Sequence, residues 1–183
     1  MPYMTDSRRR IDQIQDPGFL ADLEHLTTEV VRSRRQMCDD LDVELSYYRR
    51  MLHGRMDLAA FEMRRRAGDE TESLIDALPR ILSEGAYSAS DGLPERMISV
   101  EVPDIPSPGR RLVDRALEGD FLTRLPTVTD DDLRETQAFL TEVEASISLQ
   151  RRITHAALDR LQEELTRRYR EGLADPGELL ARG

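Results

Sequence analysis

Residues 42–57 read "DVELSYYRRMLHGRMD", and residues 144–159 read "EASISLQRRITHAALD". Both follow one pattern: acid-x3-Ser-x2-Arg-Arg-x2-His-x3-Asp. Two of the three histidines in the chain, His53 and His155, fall at the same place in it. The match extends well beyond the stretch. At a constant offset, Thr27 maps onto Thr129, Ser46 onto Ser148, Glu62 onto Glu164, and Arg65–Arg66 onto Arg167–Arg168. The chain therefore carries two copies of one long helix, too few for a solenoid.

Apolar residues place the pattern on those helices. Leu41, Leu45, Tyr48, Leu52, Met56, Ala59 and Met63 recur in steps of three and four, a coiled-coil stripe. The second copy has Leu140, Val143, Ile147, Leu158, Leu161 and Leu165, interrupted by Gln150 and Thr154. The polar set keeps the same rhythm one residue later. One residue is about 100° of rotation, so the polar stripe flanks the apolar one.

The expected fold is all-α: an antiparallel two-helix coiled-coil hairpin with a short N-terminal helix and a long flexible linker. Thr27 and Thr129 serve as N-caps for long helices over 28–66 and about 130–171, the second with three aspartates in its first turn. Asp16-Pro17 opens the short helix, ending near His25. Residues 1–15 read as disordered, 70–83 as one or two weak turns limited by Pro79, and about 84–109 as a Gly-, Pro- and Ser-rich linker. "RRLVDRALEGDFLTRL" (110–125) accommodates a short amphipathic helix, "MISVEV" (97–102) is the one strand-like run, and 172–183 is a tail. The folded domain is thus expected over 16–171.

Composition narrows the function. The single cysteine, Cys38, sits on the apolar face and fits the core of a cytoplasmic protein. No apolar run is long enough to span a membrane. The net charge of −10 argues against direct DNA binding and suits a basic protein partner. All 26 basic residues are arginine, as a GC-rich genome would encode. There is no Gly-rich phosphate loop and no nucleophile–base set, so an enzyme is not expected. His-x3-Asp on each helix supplies two metal ligands at one turn, but the adjacent arginines oppose a cation.

An antiparallel pair of near-identical helices presents two related polar half-sites, which suits a two-fold ligand. Arginine binds guanine O6 and N7, stacks on a base or holds phosphate. A carboxylate one or two turns away accepts from guanine N1–H and its amine. Serine and histidine donate to phosphate or sugar oxygens. The set suits a guanine nucleotide better than a metal. The plainer alternative is that the stripe is only interhelical salt bridges in a ligand-independent coiled-coil adaptor.

The duplicated motif resembles that of the RsiG anti-sigma factors of actinobacteria, Glu-x3-Ser-x2-Arg-x3-Gln-x3-Asp once on each of two antiparallel helices. The matching residues are Asp42, Ser46, Arg49, His53 and Asp57 in the first copy, and Glu144, Ser148, Arg151, His155 and Asp159 in the second. The resemblance covers both long helices but neither the linker nor the tails. It implies that these ten residues hold cyclic di-GMP as a regulatory ligand, as two molecules and without a metal. It implies a WhiG-type sporulation sigma factor as partner, sequestered when ligand is bound. Two departures stand out. Histidine replaces glutamine in both copies, and Asp42 replaces the first glutamate. Histidine as a residue type titrates near neutral pH, which glutamine does not. "FLADLEHL" (19–26), with Phe19, Leu20, Leu23 and Leu26 at helical spacing, is expected to meet the sigma factor or to pack on the hairpin.

Overall fold

A computed structural model describes residues 9–88 and 112–173. Helices α1 (Arg10–Ile14), α2 (Thr28–Ala67), α3 (Leu74–Ser88), α4 (Leu112–Leu117), α5 (Phe121–Arg124) and α6 (Asp130–Arg170) make up the described chain, together with two 3-10 turns, Pro17–Phe19 and Leu23–His25. No strand occurs among the described residues, and 97–102 lies outside them.

Both long helices start where their caps direct. Thr27 Oγ1 accepts from Val30 N at 3.4 Å, and Thr129 Oγ1 accepts from Asp132 N at 3.1 Å. They end at glycines in the left-handed region, Gly68 (φ 87°) and Gly172 (φ 69°), where a side chain would be strained. Helix α2 runs unbroken through Gly54.

The chain divides into two compact units, and each long helix contributes to both. Unit 1 comprises Met1–Val43 with Leu149–Gly183, and unit 2 comprises Glu44–Ser148. Within unit 1 the start of α2 lies beside the end of α6: Arg168 reaches Thr28, and Arg151 reaches Asp42. Within unit 2 the end of α2 lies beside the start of α6: Arg66 reaches Asp130, and Arg49 reaches Glu144. In each unit the two long helices are therefore antiparallel, as expected. Each buries a heptad stripe. Val31, Cys38, Leu45, Leu52 and Ala59 on α2 match Leu133, Leu140, Ile147, Thr154 and Leu161 on α6 at the repeat offset, and all are buried. Thr154, a polar interruption in that stripe, satisfies its hydroxyl by donating to Gln150 O at 2.9 Å. Burial pushes the Cys38 thiol up to about 12, followed by the nearby Asp39 charge.

Several expectations are corrected. Residues 10–14 form α1 instead of disorder, because Ile11 and Ile14 bury themselves in the unit. The short helix over 16–25 is two 3-10 turns broken at Asp22, which is left-handed (φ 50°). Asp16 caps the first turn, accepting from Gly18 N at 2.8 Å. In this segment Phe19 and Leu23 are buried and Leu20 and Leu26 half-buried, so its apolar side chains pack within unit 1.

The weak turns at 70–83 are in fact α3, which runs to Ser88 and so takes the first residues of the expected linker. Its cap is Ser73, which accepts from Asp76 N at 3.2 Å and donates to Asp76 Oδ2 at 2.6 Å. Pro79 removes one helix donor. The loss is tolerated because Ala77 and Ile81 bury against Leu58, Phe61, Leu125 and Leu133 of the same unit. The stretch 110–125 holds two short helices, α4 and α5, not one. The remainder of the expected linker and most of the tail lie outside the described residues.

Candidate functional site

Of the ten motif residues, Glu144, Ser148, Arg49 and His53 gather in unit 2, and Asp42, Arg151 and His155 in unit 1. In unit 2, a single oxygen of Glu144 on α6 takes three donors. Ser148 Oγ donates to Glu144 Oε1 at 2.6 Å, Arg49 Nε donates at 3.1 Å, and His53 Nε2 lies 3.1 Å away. In unit 1, Asp42 Oδ1 on α2 accepts from Arg151 Nε at 3.2 Å and has His155 Nε2 at 2.7 Å. The arrangement is reciprocal: the acid of one motif meets the arginine and histidine of the other. It arises because Arg and His lie four residues apart, one turn, and so reach the same point across the seam.

The clusters are half-buried, with Arg49 and His53 at 13% and 23% side-chain exposure. Burial raises the Glu144 carboxyl, but the hydrogen bonds from Ser148, His53 and Arg49 outweigh it and hold the group below the usual carboxylate range. In both clusters the arginine meets the acid through Nε. Ser46 is half-buried and makes no hydrogen bond among the described residues. Asp57 is half-buried. Asp159 is exposed, on a shallow polar groove with Gln162, Thr166, Arg167 and Arg170. Ser46 and Asp159 thus stay out of the two carboxylate-centred clusters among the described residues.

The repeat contains a second pattern to which sequence reasoning assigned no role. Glu62 accepts from Arg65 Nε and Nη2, both at 2.8 Å, and from Arg66 Nε at 2.7 Å. Glu164 repeats this with Arg167 (2.9 and 2.8 Å) and Arg168 (2.7 Å). Each fork aims its second arginine at the chain entering the opposite long helix. Arg66 donates to Leu125 O at 3.0 Å and Val128 O at 2.8 Å. Arg168 donates to Leu23 O at 2.6 Å and Thr28 Oγ1 at 3.1 Å. Leu23 and Leu125 are themselves related by the repeat offset, so these are matching structural clamps. The signal was available in the matched Glu-x2-Arg-Arg pairs. The hydrogen bonds from Arg167, then Arg168, outweigh burial and lower Glu164 to about 2.

Among the described residues, no group of three or more His, Cys, Asp or Glu side chains is placed to hold a metal ion. No helix there is long and apolar enough to cross a membrane. A family model described as RsiG-like matches residues 17–82 and 119–182, which take in both clusters and both clamps. Comparison with curated proteins gives no match.

Proposed function

The chain belongs to the RsiG-like family of anti-sigma factors, and on that premise we propose that its two motif clusters bind cyclic di-GMP and that the loaded chain sequesters a WhiG-type sigma factor. The observation that carries the reading is the reciprocal cluster. An arginine and a histidine converge on one carboxylate, on a half-exposed face, twice and in register. Those are the donors that a phosphate or a guanine edge requires.

Within this reading each residue has a task. Arg49 and Arg151 donate to guanine O6 and N7 or to phosphate. Asp57 and Asp159 accept from guanine N1–H and the exocyclic amine. Ser46, Ser148, His53 and His155 donate to phosphate and sugar oxygens. Two ligand molecules then answer to two clusters. Asp42 and Glu144 neutralise the arginines in the absence of ligand and are partly released when it binds. The ligand controls the sigma factor by binding the complex more tightly than it binds the separate proteins, so the coupling is reciprocal.

The second reading is a ligand-independent coiled-coil adaptor, favoured by one fact: the cross-helix ion pairs are complete without any ligand. Calorimetry with cyclic di-GMP, run with and without a WhiG-type sigma factor, separates the two. The first reading expects heat on titration and a sigma affinity that rises with ligand. No heat and an unchanged sigma affinity leave the adaptor.

A further inference from the structure

Unit 2 contains a groove of about 490 Å³ that the motif clusters do not use. Arg50, Gly54 and Leu58 of α2 line it, with Leu82 of α3 and Phe121 and Leu122 of α5. Its apolar side chains are left uncovered. Met51, Leu82 and Leu122, all on the groove, are 41%, 50% and 44% exposed.

Gly54 is the unexpected residue. It lies within a continuous 40-residue helix, where glycine is the poorest choice after proline. The fold does not need it. A Cβ at Gly54 would meet only Leu82 Cδ2, at 3.6 Å, an ordinary van der Waals contact. The repeat does not need it either, because the matching residue in the second copy is Ala156. A helix backbone left bare at a groove, at a cost to the helix, admits the close approach of another chain.

Arg50 supplies the polarity. It is half-buried and makes no ion pair or hydrogen bond among the described residues. The neighbouring cation, Arg55, is committed. It donates to the carbonyls of Ala116, Leu117 and Glu118 and stacks over Phe121. Asp120 is the one acid among the described residues on the groove. An apolar trough beside a guanidinium with no partner among the described residues complements an amphipathic segment whose apolar face is flanked by a carboxylate.

We infer that this groove seats such an amphipathic segment of the sigma-factor partner, packed against Gly54, with a partner carboxylate on Arg50. The inference rests on the function proposed above and adds to it a binding surface outside the ligand motifs.

The test uses the full chain, cyclic di-GMP and a WhiG-type sigma factor, with three readouts: melting temperature, ligand binding and sigma affinity. Gly54→Ala should melt at or above the wild-type temperature, bind cyclic di-GMP normally and lose about tenfold in sigma affinity. Leu122→Asp, at an exposed site, should also lose about tenfold. Arg50→Gln should lose a few-fold. Wild-type sigma affinity in Gly54→Ala and Leu122→Asp would overturn the inference while the proposed function stands. So would a loss of sigma affinity that tracks a loss of ligand binding or of melting temperature. A wild-type chain that fails to bind the sigma factor in the presence of cyclic di-GMP overturns the proposed function, and the occupant of the groove with it.

Discussion

The two units are built from the same repeat, yet they complete it differently. Around Glu144, a carboxylate one methylene longer than aspartate folds back to its own helix and captures Ser148, in addition to Arg49 and His53 across the seam. Around Asp42 the shorter acid takes the cross-helix Arg151 and His155, and the equivalent Ser46 makes no hydrogen bond among the described residues. The clamps differ in burial in opposite senses: the Arg168 side chain is 6% exposed and Arg66 20%, whereas Glu164 is 11% exposed and Glu62 fully buried. Duplication has preserved the cross-helix pairing but not the hydrogen bonds and burial that accompany it in each copy.

That comparison is most easily broken at the clamps. Arg168→Ala leaves a nearly buried Glu164 with Arg167 alone and takes one of two donors from Leu23 O, and should cost about 3–5 kcal/mol in chemical denaturation. Arg66→Ala leaves the fully buried Glu62 with Arg65 alone and takes a donor from Leu125 O and Val128 O, so it should cost as much, about 3–5 kcal/mol. A much smaller loss would mean that burial of the carboxylate does not set the cost.

Acid sharpens the same contrast. Glu164 titrates at about 2 in the folded chain against an ordinary 4.5. Its folded value is depressed, so its contribution is fully present above about pH 4.5 and is lost as the pH falls toward 2. Denaturation midpoints should therefore drop over that window, and Glu164→Gln should flatten the drop. Glu144 adds to the fall in the same direction.

For the ligand, Arg151→Ala and Arg49→Ala should each weaken cyclic di-GMP binding about tenfold or more by calorimetry. Charge-assisted contacts of this kind contribute about 1.5–3 kcal/mol. Melting temperature should move little, because partly exposed ion pairs contribute about 1 kcal/mol or less. Variants that melt early yet bind ligand normally would return the stripe to the scaffold. The smallest effect should separate the serines in the free protein: about 0.5–1.5 kcal/mol for Ser148→Ala, and within about 0.5 kcal/mol for Ser46→Ala. Matching values would erase the asymmetry of the two clusters.

The long helices were legible because their signals are local and repeated: threonine caps, a seven-residue stripe, and glycine stops. The reciprocal pairing of Arg and His with the opposite acid was not, since register across a seam is set by packing that one strand of text does not contain. Helix α3 was hidden by Pro79, whose cost is overcome by tertiary burial of Ala77 and Ile81. Its absence from the sequence reading also concealed why Leu58 and Phe61, outside the heptad stripe, are core residues. The segment 17–25 carries helical spacing but folds as two 3-10 turns broken at the left-handed Asp22, and Arg34 and Arg168 donate to the Phe19 and Leu23 carbonyls.

The clamps also impose an order of assembly. Arg66 and Leu125 are 59 residues apart in the chain, whereas Leu23 and Arg168 are 145 apart. Closing the longer loop costs about 0.8 kcal/mol more in chain entropy. During synthesis the first clamp can form once α6 has begun, but the second must wait for its last turn. The Leu23 segment, made first, is thus the last to be clamped.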